Sequence, residues 1–219
     1  KNVALSIAAV QSQSEAGAFD IANLPMVSYP QRLDAESLSE IPALQMHVLG
    51  GILRAKVFAD GQYGDEKVQS IAFADENTPM AGAFKLDLTG LSDEASLIVT
   101  GLASRTAKTQ LSIPYAVPSS QASAKDIYMI LAPGTYDGTL SVTTEKAVYT
   151  QPFQCEMKRN ACYDASINLS TAARESIDGW NGEGTAEAPY QVATAEDLQR
   201  LIVLCNSDGG EYAEFADKH

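Results

Sequence analysis

The run Phe153-Gln154-Cys155-Glu156-Met157, the polar break Lys158-Arg159-Asn160-Ala161, and the run Tyr163-Asp164-Ala165-Ser166-Ile167-Asn168-Leu169 decide the fold. In both runs apolar or small side chains alternate with polar ones. A period of two sends successive side chains to opposite faces of a pleated strand, so each run reads as a half-buried strand, polar on one face. The break between them has turn chemistry and suggests a hairpin. The same alternation recurs upstream: Phe84, Leu86 and Leu88 against Lys85 and Asp87, and Leu140 and Val142 against Thr139, Ser141 and Thr143. The run Ile127-Tyr128-Met129-Ile130-Leu131 does not alternate and reads as a central strand covered on both faces. Gly50-Gly51, inside the strand-like stretch Gln45 to Ala59, marks a bulge or a bend. Asp60-Gly61 and Tyr63-Gly64-Asp65 close that strand, while Pro133-Gly134 and Asp137-Gly138 bracket a short excursion. Residues 2–10 suit a further strand, and Asp34 to Ile41 one short helical turn. Short strands at close spacing, with little amphipathic helix before residue 170, predict a mostly β chain, a sandwich or a barrel; of the two the expectation is an antiparallel β-sandwich, transthyretin-like or Greek-key in connection.

After Ser170 the character changes. Thr171 to Gly184 is polar and glycine-bearing and reads as a linker. Thr194 then offers an N-cap, with Asp197 three residues on as in a capping box. Leu198, Leu201, Ile202 and Cys205 follow at helical spacing on one face, and Asn206-Ser207-Asp208-Gly209 stops the helix. Cys205 on that stripe reads as a small buried hydrophobe. The expected division is a sandwich over 1–170 and, over 171–219, a linker plus the truncated start of a second domain with a helix near 194–206.

Composition narrows the partners. The 219 residues carry 15 basic and 28 acidic side chains, a formal net charge of −13. Such a surface repels phosphate, so nucleic acid is a poor partner, and anionic lipid headgroups are disfavoured. No apolar run approaches the ~20 residues of a membrane span. The first residue is Lys1 rather than Met, so the expectation is that an upstream segment has been removed. The three cysteines, Cys155, Cys162 and Cys205, make no C-x-x-C pair, and with two separated histidines they do not compose a structural zinc site. An odd count leaves at least one thiol free or bonded to another chain. Cys155 and Cys162 flank the proposed hairpin turn. In one register they face each other and a disulfide is open to them; slipped by one residue they point to opposite faces, and the alternative to a disulfide is two independent small core residues.

No catalytic set assembles. His47 lies in the strand-like Met46-His47-Val48-Leu49 and reads as a strand histidine with a satisfied ring, and His219 is the last residue. There is no G-x-S-x-G elbow, phosphate loop or H-E-x-x-H helix. The acidic pairs Asp65-Glu66, Asp75-Glu76 and Asp93-Glu94 fall at turns and read as solvated loop charge. The stretch Asp60 to Glu66 lacks the oxygen-ligand spacing of a calcium loop. Trp180, in Gly179-Trp180-Asn181-Gly182, reads as an anchor packing the linker onto a neighbour. The expectation is therefore a chain that is not an enzyme, with no catalytic, cofactor-binding or metal-binding residues and no cofactor.

Two segments together carry a resemblance. One is Met46-His47-Val48-Leu49-Gly50-Gly51-Ile52-Leu53-Arg54-Ala55-Lys56-Val57 with Val68-Gln69-Ser70-Ile71. The other is Ile127 to Tyr136, with Leu140-Ser141-Val142-Thr143 and Lys158-Arg159-Asn160. Over roughly residues 20–170 the chain resembles the fimbrillin-like (major-fimbrium-subunit-like) surface proteins of Bacteroidales. The stretch Trp180 to Leu198 is similar to the opening of GLUG-type repeat regions. The resemblance implies a β-sandwich exported to the cell outer membrane and surface as a lipoprotein, touching the membrane only through a removed N-terminal lipid anchor. It implies cell adhesion or a place in a fimbria or pilus as a tip or accessory subunit, meeting other surface or fimbrial subunits, or host or bacterial surface ligands, through sheet edges and loops. The alternative is a carbohydrate-binding surface module of a glycan-uptake system, which would need aromatics gathered on one face.

Overall fold

The computed structural model describes residues 2–28, 46–60, 66–87, 99–176 and 189–206. Fourteen strands occupy most of them: β1 (Asn2–Ile7), β2 (Val10–Gln13), β3 (Met26–Ser28), β4 (Met46–Val48), β5 (Gly51–Phe58), β6 (Lys67–Ala74), β7 (Gly82–Asp87), β8 (Val99–Thr100), β9 (Thr106–Ala116), β10 (Asp126–Leu131), β11 (Gly134–Thr144), β12 (Ala147–Met157), β13 (Cys162–Asn168) and β14 (Ala173–Ser176). One helix, α1 (Ala195–Asn206), follows. The expected mostly β sandwich is what forms. A six-stranded sheet of order β14-β12-β11-β6-β9-β2 faces a three-stranded sheet of order β10-β5-β13; β1-β7-β8 and β3-β4 make smaller sheets.

The core lies between the two main sheets, and alternation builds it. Along β5 every second residue, Leu53, Ala55 and Val57, is fully buried, as are Ile127 and Met129 of β10 and Ile167 of β13. They meet Phe73 of β6, Leu140 and Val142 of β11 and Tyr149 of β12 in one cluster. Each large side chain so buried contributes about 1.5–3 kcal/mol through apolar area removed from water.

Several local readings change in three dimensions. Most pairings are antiparallel, but β13 runs parallel to β5 and β2 parallel to β9. Lys158–Ala161 makes no hairpin. β12 pairs with β11 in the large sheet and β13 with β5 in the small one, so this break carries the chain from one layer to the other. Asn160 takes the left-handed region at φ 53° and donates its N–H to the Gly50 carbonyl at 3.0 Å; Asn accepts that conformation more readily than most residues. Asp137-Gly138 is no turn either. It lies inside the unbroken β11, and a Cβ at 138 would collide with the carbonyl oxygen of Ala74 on β6, so only glycine lets these backbones meet. Ile127 to Leu131 is an edge strand of the small sheet rather than a central one. Gly50-Gly51 does mark a break, since β4 ends just before it and β5 begins at Gly51 in a different sheet.

The stretch read as linker begins with β14, whose residues pair with 147–150 of β12. Residues 2–10 divide into β1 and β2, in separate sheets. The proposed turn at Asp34 to Ile41 lies outside the described residues. The capping box of α1 forms as expected: Asp197 N donates to Thr194 Oγ1 at 3.0 Å, and Asp197 Oδ2 accepts from Thr194 N at 2.9 Å.

Candidate interaction surface

A sheet edge is a row of backbone donors and acceptors, and a sandwich with open edges is primed to take up another strand. The β10 edge of the small sheet is closed, and side chains close it. Gln11 Oε1 accepts from Ile130 N at 2.8 Å, and Gln11 Nε2 donates to Ile130 O at 2.7 Å. Two residues on, Gln13 Oε1 accepts from Tyr128 N at 2.9 Å and its Nε2 donates to Asp126 O at 3.2 Å. Thr109 Oγ1 donates to Tyr128 O at 2.8 Å. A carboxamide carries the same donor and acceptor as a peptide group. Glutamines at alternate positions of β2, both almost wholly buried, thus stand in for a fourth strand and lace the two layers together.

The opposite long side differs. β12 continues from Gln151 to Met157 past the end of β14; β11 pairs with its inner side, and among the described residues no strand pairs with the outer side of that length or with the outer side of β13. Leu169 N bonds to Phe58 O, which fixes the parallel pattern and turns the backbone groups of Cys162, Asp164 and Ser166 away from β5. Gln151 Nε2 reaches across to Ser166 O at 2.8 Å, closing one end, and Pro152 brings no N–H to β12. Between these points, Phe153, Cys155 and Tyr163 pack half-buried against the core.

The outward face of the small sheet beside this opening is polar. Register sets Tyr128, Arg54 and Asp164 in one row and Asp126, Lys56 and Ser166 in the next. Arg54 forks onto Asp164, with Nε–Oδ1 at 2.6 Å and Nη2–Oδ2 at 3.0 Å. Hydrogen bonding to the guanidinium holds the Asp164 carboxyl below its ordinary range and raises Arg54. Lys56 Nζ stands 3.9 Å from Asp126 Oδ1. The Tyr128 ring meets Phe19 edge-on at 5.2 Å. A cavity of about 300 Å³ opens on this face, lined by Arg54, Lys56, Gln121, Asp164, Ala165 and Ser166.

Of the residues singled out in the sequence, Cys155 and Cys162 fall at the β12 and β13 opening, and the other described ones fall elsewhere. His47 lies on β4, paired in register with Val27 of β3. Two of the turn carboxylates are buried rather than solvated, which corrects that reading. Asp75 accepts from Asn77 N, Thr78 N and Asp137 N at 2.8–3.1 Å; burial opposes its ionisation, but these bonds prevail and the carboxyl sits below its usual value. Glu66 accepts from Tyr149 Oη at 3.0 Å, with Thr144 Oγ1 at 2.9 Å and Arg174 Nη2 at 3.9 Å. At these two positions backbone N–H groups and a tyrosine hydroxyl need an acceptor. Cys155 and Cys162 are free thiols on separate sheets, one half-buried and one exposed. Asp65, Asp93-Glu94, Trp180 and His219 lie outside the described residues, as does the Cys205 side chain. Among the described residues, no group of three or more His, Cys, Asp or Glu is placed to hold a metal ion. The edge-closing pair Gln11 and Gln13 was not singled out; its only sequence signal is two glutamines alternating with Val10 and Ser12.

No family model matches the chain. No curated protein matches it. Among solved structures it is similar to a protein of Bacteroides ovatus ATCC 8483 described as a "putative cell adhesion protein", at 13% identity and a TM-score of 0.36, over 62% of this chain and 46% of that one. The chain thus spans less than half the length of that structure, and at this depth the likeness says nothing of shared function.

Proposed function

We propose that the chain is an exported, non-enzymatic surface module of fimbrillin-like type that acts in adhesion or fimbrial assembly as a tip or accessory subunit. In this reading it sits on the outer membrane through a lipid anchor and takes an extended segment of a partner subunit onto the open long side formed by Gln151–Met157 of β12 and Cys162–Ser166 of β13. The carrying observation is the asymmetry of the small sheet. Its β10 edge is sealed by Gln11, Gln13 and Thr109, while the outward backbone groups at Cys162 and Asp164 of β13 face no strand among the described residues. Main-chain hydrogen bonds supply affinity in strand addition, and alternate side-chain positions such as Phe153, Cys155 and Tyr163 supply specificity. His47 serves the β3–β4 ribbon in this reading and does no chemistry.

The test mixes the protein with purified fimbrial or surface subunits and follows amide hydrogen exchange. Complex formation should protect the amides of Cys162, Asp164, Gln154 and Glu156 and leave Tyr128 and Ile130 unchanged. A complex that leaves the β12 and β13 amides exchanging as before, or no complex at saturating subunit, rejects the reading.

A further inference from the structure

We propose that the outward face of the small sheet is a binding site for a neutral saccharide, seated in the cavity between Arg54, Lys56, Gln121, Asp164 and Ser166 and extending toward Tyr128. This goes beyond strand addition at the edge, since it concerns a face and a small polyhydroxyl ligand.

The size fits first. About 300 Å³ lies at the lower end of the range for small-molecule pockets and suits one or two sugar rings. The lining decides the class. Ala165 is the sole apolar residue in it, so an acyl chain or apolar side chain would gain little there. Both cations are already matched to carboxylates, Arg54 to Asp164 in a two-point fork and Lys56 to Asp126 at 3.9 Å. A phosphate or carboxylate ligand would meet a nearly neutral site and would displace or repel those partners.

A hydroxyl-rich ligand meets no such conflict, because each hydroxyl both donates and accepts. The face offers both functions within a few ångströms. Donors are the remaining guanidinium N–H groups, the Lys56 ammonium, loosely held at its 3.9 Å separation, and the Gln121 amide. Acceptors are Asp164, the Gln121 carbonyl and the Ser166 hydroxyl. The fork with Asp164 also fixes the planar guanidinium, so little side-chain entropy is lost when a ligand arrives. Tyr128 completes the arrangement. It stands directly across from Arg54 in register, its ring is braced edge-on by Phe19, and its flat face suits the C–H surface of a pyranose. Alternation carries the Arg54, Lys56, Tyr128, Asp164 and Ser166 side chains outward on strands whose intervening residues build the core, so this part of the site is preformed, and Gln121 reaches it from the turn at 121–123.

A glycan array of neutral and acidic oligosaccharides, probed with the intact chain, tests the proposal, with titration calorimetry on the strongest neutral ligand. Gln121→Ala, at an exposed turn position, and Asp164→Ala should each weaken binding about tenfold or more, with melting temperature unchanged in Gln121→Ala. Tyr128→Ala should weaken oligosaccharides more than monosaccharides. Because the ligand is uncharged, binding should persist at about 0.5 M salt, where surface charge interactions are screened. Absence of neutral ligands from the array, binding confined to acidic glycans and lost in salt, or affinity unaltered in both Gln121→Ala and Asp164→Ala overturns the proposal. None of these outcomes bears on strand addition at β12 and β13.

Discussion

At the scale of single residues, the buried carboxylates govern more than their number suggests. Asp75 gathers three backbone N–H groups from the turn after β6 and from β11, so Asp75→Ala strands those donors and should cost about 2–3 kcal/mol in chemical denaturation. The pH dependence follows from the direction of its shift. Its folded value lies below the ordinary 3.8, so the stabilisation is complete above the unfolded value and is lost as pH falls through the folded one. The stability gap between wild type and Asp75→Asn should therefore be constant at neutral pH and narrow below about pH 4; a gap that widens in acid contradicts the assignment. Gly138 is fixed by sterics, since any Cβ meets the Ala74 carbonyl and the Phe73 ring. Gly138→Val should destabilise by about 3 kcal/mol. The thiols differ by burial: burial raises Cys155, while Cys162 is exposed, so a thiol reagent at neutral pH should modify Cys162 well before Cys155.

At the scale of elements, the fate of β10 turns on β2. A strand with the run Ile127-Tyr128-Met129-Ile130-Leu131 belongs, by its own composition, in the middle of a sheet. It stands at an edge because two carboxamides supply what a neighbouring strand would have supplied. The double substitution Gln11→Ala, Gln13→Ala should leave the amides of Tyr128 and Ile130 without acceptors and speed their hydrogen exchange. It should also promote self-association as the edge becomes available, detectable by sedimentation. Unchanged exchange at those two amides would show that the glutamines do not hold the edge. Helix α1 answers to local rules instead. Its cap joins Thr194 and Asp197 reciprocally, and Thr194→Ala should cost about 1 kcal/mol of helix stability, read as lost ellipticity. On its apolar stripe, Leu198 and Ile202 are about half exposed.

At the scale of the whole molecule, the chain changes layer between β5 and β6, β9 and β10, β10 and β11, β12 and β13, and β13 and β14. Each change binds segments distant in sequence, as the pairing of β13 with β5 does across more than one hundred residues. Nonlocal pairing of this kind folds slowly, because loop closure must precede the contacts that reward it. Leu140→Ala, at a site shared by both layers, should cost about 2–5 kcal/mol and appear mainly as a lower denaturation midpoint. The net charge of −13 spreads over this scaffold, and against it the small sheet keeps an outward face in which cations and carboxylates are paired.

The sequence alone determined the mostly β character and the inward face of strands that alternate, because alternation is a local property: Leu140 and Val142, or Ala165 and Ile167, are buried where their period says they must be. It determined the cap of α1 for the same reason, since Thr194 and Asp197 are three residues apart. Only the tertiary structure decided which strands are neighbours. Cys155 and Cys162 look like hairpin partners and belong to different layers, Asp75 and Glu66 look solvated and are buried, and Gln11 and Gln13 look like ordinary polar residues and finish a sheet. Pairing depends on what lies across space from each backbone group, and hydrogen bonds between residues 119 positions apart, as between Gln11 and Ile130, leave no trace in local spacing.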